Sequence, residues 1–120
     1  MSSNRPIKIL FDTYHLYHLP QFDPVIDLLS HDDRFEIFHS TCSDNKKIEL
    51  DLCLPVLESK PGILVFAETE EERIEKIRAL DLDVFICGWS RYPIGKFVSK
   101  NTLVGMIYHG IGVKPSYWRD

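Results

Sequence analysis

The residues best suited to chemistry lie near the carboxyl end of the chain, in His109-Gly110-Ile111-Gly112-Val113-Lys114. They follow an apolar run, Leu103-Val104-Gly105-Met106-Ile107-Tyr108, with the length and composition of a buried strand. An imidazole titrates near neutral pH and can take a proton from an attacking hydroxyl, so His109 is the candidate general base. Gly110 and Gly112 would let backbone amides approach an anion, and Lys114 would supply charge to a phosphate. A bland alternative stands beside this one: a packed histidine at a strand end, followed by glycines that the turn requires.

Two further stretches carry unusual side chains. Tyr14, His15 and His18 follow the first apolar run, and Trp89, Ser90 and Arg91 follow the fourth. In an open α/β sheet the loops leaving the carboxyl ends of the strands share one edge, so all three stretches are expected to converge there. Arg91 suits an anion because its planar fork matches phosphate, and Trp89 would wall a pocket. Each also has an ordinary reading, as aromatic cover for a core edge or as an exposed structural arginine.

These residues need a scaffold, and the rest of the chain supplies one. Ile7 to Asp12 reads as a first strand, mostly apolar as a strand covered on both faces should be. Asp23-Pro24 resembles a helix start, with Val25, Leu28 and Leu29 on the inner face of a helix ending near Ser30. Phe35 to Ser40 is a second strand. Ile48, Leu50, Leu52 and Leu54 alternate with Glu49, Asp51 and Cys53, which argues for a strand, whereas a parallel sheet needs a crossover here. The expectation is a compromise, with a short helix from Pro55 to about Lys60.

Pro61-Gly62 precedes a third strand, Ile63 to Phe66. Thr69 and Glu72 form a capping box for a helix whose inner face is marked by Ile74, Ile77 and Leu80, and the run Glu70-Glu71-Glu72 reads as a solvated first turn. Asp81-Leu82-Asp83 ends that helix and Val84 to Cys87 is a fourth strand. A short helix is expected within Gly95 to Asn101, before the final strand. Strands alternating with crossovers predict a doubly wound, Rossmann-like parallel sheet in a single domain spanning 1–120.

Composition narrows the function classes. The chain has 120 residues, 44% hydrophobic and 27% charged, typical of a soluble domain with a modest core. A formal net charge of -4 gives no reason to expect nucleic acid. No apolar run reaches membrane-spanning length, and the first residues do not read as a signal peptide. Cys42, Cys53 and Cys87 stand in no metal-ligand spacing, so neither a metal nor a cofactor is expected, and reduced cysteines suggest the cytoplasm.

The strand ending in His109-Gly110, then Gly112-Val113-Lys114, resembles the His-Gly-Thr-Pro-Leu-Lys motif of the CDP-glycerol glycerophosphotransferases, the teichoic-acid polymerase and primase type. His109, Gly110 and Lys114 match; Ile111, Gly112 and Val113 stand where threonine, proline and leucine are usual. The order of strands, with Gly88-Trp89-Ser90-Arg91-Tyr92 before the motif strand, is similar to the amino-terminal half of such an enzyme. The resemblance implies half of a two-domain GT-B transferase, with His109 activating an acceptor hydroxyl against a nucleotide-activated donor, CDP-glycerol or a sugar nucleotide. It also implies a carboxyl-terminal donor-binding domain beyond these residues, an isolated half that does not turn over, and a full-length protein able to lie against a membrane. The alternatives are a GT-B glycosyltransferase, a relative of the non-hydrolysing UDP-sugar 2-epimerases, or a stand-alone α/β ligand-binding or regulatory domain. A phosphoacceptor receiver is disfavoured because the third strand ends without an aspartate. A dinucleotide-binding domain is disfavoured because Asp12-Thr13-Tyr14 replaces the glycine-rich turn.

Overall fold

The computed structural model describes residues 5–13, 19–41, 46–88 and 98–106. They form five strands and three helices: β1 (Ile7–Asp12), α1 (Leu19–Ser30), β2 (Phe35–Ser40), α2 (Lys47–Glu58), β3 (Ile63–Val65), α3 (Glu70–Leu80), β4 (Val84–Cys87) and β5 (Leu103–Met106). The strands make one all-parallel sheet in the order β3-β2-β1-β4-β5. The chain builds outward from β1 on one side, then crosses back and builds outward on the other. That reversal puts a topological switch point between β1 and β4.

Alternation along the strands sorts the core into two layers. Ile9, Phe11 and Ile37 face Leu19, Phe22 and Ile26 of α1 and Cys53 and Leu57 of α2. Leu10, Phe38, Phe85 and Cys87 face the other way, onto Ile77 of α3 and Leu82. The central strands are covered on both faces, while at the edges Ile63 is 53% exposed and, against the expectation of a buried final strand, Leu103 is 69% and Val104 40% exposed to solvent.

Two helices depart from the sequence expectation. α1 starts at Leu19, not at Asp23, and its buried row is Leu19, Phe22 and Ile26, while Leu28 is exposed. Pro24 is exposed in the helix interior, and its missing N–H costs one bond to the exposed Pro20. Asp23 caps nothing; its carboxylate pairs with Lys60 at 3.2 Å. The second departure is α2, which occupies the whole stretch for which alternation suggested a strand. Cys53 and Leu57, at i and i+4, carry its buried side, and Ile48 and Leu52 are exposed. The crossover needed by parallel pairing outweighs the two-residue period.

α3 starts at the predicted Thr69 cap, but its buried residues are Arg73 and Ile77, with the expected Ile74 and Leu80 only partly buried. The Thr69 hydroxyl accepts from the Glu72 amide at 3.2 Å, and Asp81 closes the helix at φ 53°, a left-handed position. Of the short helix expected within Gly95 to Asn101, the described part, from Val98, is a turn in which the Thr102 amide donates to the Ser99 carbonyl at 3.1 Å.

Candidate functional site

The register brings all five strands to a level end. Val65 pairs with Ser40, Ser40 with Asp12, Asp12 with Cys87, and Cys87 with Met106. The chain therefore leaves β1, β4 and β5 from one edge, and residues 14, 89 and 107 follow within two residues of those ends. Tyr14, His15, His18, Trp89, Ser90, Arg91, His109, Gly110, Gly112 and Lys114 all lie outside the described residues. What is described is the rim from which their segments depart.

That rim is polar and buried. Asp12, Thr13, Ser40, Thr41 and Arg73 are each 1% exposed or less. Arg73 comes from α3, one turn before Ile77 on the same inward row. Its Nη1 donates to Asp12 Oδ1 at 2.7 Å and to Ser40 Oγ at 3.1 Å. Its Nε and Nη2 form a fork onto Glu70 at 2.7 and 2.9 Å. Ser40 Oγ in turn donates to Asp12 Oδ1. A buried guanidinium is tolerable only when its donors are engaged in this way.

The cluster ties the ends of β1 and β2 to the first turn of α3, across the strand beside the switch point. Asp12 stands at the end of β1, the usual place for a ligand-facing group in such sheets, yet its carboxylate serves this ion pair. The Thr13 amide continues the ladder to the Ser40 carbonyl at 2.9 Å, while the Thr13 hydroxyl is buried with no hydrogen-bond partner among the described residues.

Sequence reasoning missed Arg73 and Glu70. The acidic run reads as a solvated turn, and Glu71 and Glu72 are exposed, but Glu70 belongs to the Arg73 fork. The available signal was position: Arg73 falls four residues before Ile77, so the inner row of α3 carries a cation at its amino-terminal end.

On the opposite face, His39 is buried against Phe11, ring centroids 6.4 Å apart. Its Nε2 donates to the Pro61 carbonyl at 2.6 Å, and its Nδ1 has no partner among the described residues. Burial, the largest influence, holds its pKa below the ordinary imidazole value, against the opposing pull of the Pro61 carbonyl. Gly62 makes this approach possible: at φ +116° a Cβ there would stand 2.7 Å from the Ile37 carbonyl oxygen and 3.1 Å from His39 Nε2. Cys53 is also buried, with its thiol pKa raised chiefly by desolvation, which disfavours the thiolate. No helix among the described residues is long and apolar enough to cross a membrane.

No protein-family model matches the chain, and no curated protein matches it. Among solved structures the chain is similar to a histidinol dehydrogenase from Elizabethkingia anophelis, with a TM-score of 0.48 and 12% identity, over 92% of this chain. The chain spans 28% of the length of that protein, and a likeness at this level carries no functional argument.

Proposed function

We propose that this domain is the acceptor-side half of a GT-B transferase that moves a glycerophosphate or glycosyl group from a nucleotide-activated donor to a hydroxyl. The supporting observation is the level carboxyl edge: the segments carrying His15, Arg91 and His109 follow strands that end side by side at a switch point. On this reading His109 takes the acceptor proton as the hydroxyl oxygen attacks. The nucleotide departs from the donor, and Lys114 and Arg91 hold its anionic groups. Asp12, occupied by Arg73, keeps the edge in place and leaves the proton transfer to the histidine.

The test is kinetic, in a longer protein carrying this domain. His109→Ala should lower turnover by about 10²–10⁴-fold, the usual contribution of a positioned base, with donor affinity nearly unchanged. Lys114→Ala should weaken binding of the anionic substrate more than it slows the chemical step. A His109→Ala protein that keeps its rate and melts earlier makes the histidine structural and ends this reading.

The second reading is a ligand-binding domain without catalysis, and the Asp12–Arg73 pair favours it by spending the strand-end carboxylate on structure. Calorimetry on the 120-residue chain separates the two. An acceptor-side half should bind CDP-glycerol and UDP-sugars weakly or not at all, whereas tight stoichiometric binding supports the binding module.

A further inference from the structure

β3 is the shortest strand of the described sheet, three residues at one edge, pairing only with β2. The chain reaches it from α2 through the turn Ser59-Lys60-Pro61-Gly62. Among the described residues two side-chain contacts tie that turn to its surroundings. Lys60 Nζ pairs with Asp23 of α1 at 3.2 Å, a partly exposed contact and therefore a weak one. The Pro61 carbonyl accepts from His39 Nε2 at 2.6 Å, and His39 is wholly buried. The turn is held down mainly by the histidine.

A protonated imidazole fits this site badly. The carbonyl can only accept, so it fixes the single proton of neutral His39 on Nε2. A second proton would make Nδ1 a buried donor that faces no acceptor among the described residues. Nor do the surrounding elements compensate for it. Phe11 of β1 and Leu64 of β3 carry no charge. α2 supplies Cys53 and Leu57 to the same layer, and burial keeps the Cys53 thiol protonated. Desolvation is the largest influence on the ring and opposes the cation; Asp23 of α1 favours it, and Lys60 of the turn opposes it. A charged ring gains by reaching water. Turning outward breaks the Pro61 bond, which leaves the turn on the weak Lys60–Asp23 pair and β3 on its short ladder.

We propose that His39 is an acid-sensitive latch: its protonation releases Pro61, and the turn and β3 lift from β2 while β1, β2 and β4 stay paired. The latch lies on β2 and the α2–β3 turn, so it is independent of the transferase reading.

Amide hydrogen exchange of the 120-residue chain, followed by NMR, tests the proposal. After correction for the intrinsic effect of pH, the opening constant of the β3 amides that face β2 should rise severalfold from pH 7.5 to 5.5. One proton on an exposed imidazole of ordinary value, about 6.5, sets the ceiling at about tenfold. This opening should be indifferent to low urea because it exposes little surface, whereas Leu10 and Phe11 of β1 should exchange through urea-sensitive global unfolding. Imidazole nitrogen shifts should show His39 neutral at pH 7.5 with its proton on Nε2, and charged only as β3 loses protection. His39→Gln cannot take up the proton and should abolish the acid response of β3. The proposal is overturned if the ring titrates while β3 stays protected, or if β3 opens only in step with β1. It is equally overturned if the acid response survives in His39→Gln. Should that variant fail to fold, the nitrogen shifts and exchange of the unsubstituted chain decide alone.

Discussion

Arg73 carries the structural argument at the scale of a single side chain. Its guanidinium is wholly buried and bonded to Asp12, Ser40 and Glu70. Arg73→Met should cost about 3–5 kcal/mol in urea unfolding, because two carboxylates would lose their cation in or near the core. Arg73→Lys should recover only part, since a point charge cannot reproduce the fork onto Glu70. His39 gives the pH dependence. Its folded pKa is depressed, chiefly by desolvation, while Asp23 raises it and Lys60 lowers it. Below the unfolded imidazole value of about 6.5 the unfolded chain therefore binds more protons, and stability falls as pH falls. His39→Gln keeps a donor for Pro61 and should flatten the stability profile below about pH 6.5. An unchanged slope in that variant would show that His39 does not set the acid sensitivity.

At the scale of elements, the clearest expectations are the most local ones. Thr69→Ala should lower stability by about 1 kcal/mol, the cost of one lost cap. Gly62→Ala should cost more than about 1 kcal/mol, since both the positive φ and the Ile37 carbonyl stand against a methyl group. Thermal melts of the two variants check the order. The strands and α3 were legible because their signals lie within a few residues: apolar runs, a cap, a broken end. α2 was not, because Ile48, Leu50, Leu52 and Leu54 mimic a strand when only neighbours are weighed. What makes them helical is the demand of the parallel pair β2 and β3, a relation between distant segments. The start of α1 was misplaced for a similar reason. Asp23-Pro24 is a good start signal in isolation, but the core had already claimed Leu19 and Phe22. Of the candidate site, the edge from which the segments depart was readable from strand order, and its buried arginine was not.

At the scale of the molecule, β1 is the centre, with β2 and β3 on one side and β4 and β5 on the other. The bond from Arg73 to Asp12 joins residues sixty-one apart in the chain. It has a consequence for the order in which the protein is made. While a nascent chain ends before α3, β1 and β2 can pair, but Asp12 and Ser40 still lack the guanidinium that the finished domain supplies. The first half of the sheet should therefore close only once Arg73 has emerged from the ribosome. Stalled chains ending at Glu68 should remain sensitive to protease, and chains extended past Leu82, with enough linker to clear the exit tunnel, should become resistant.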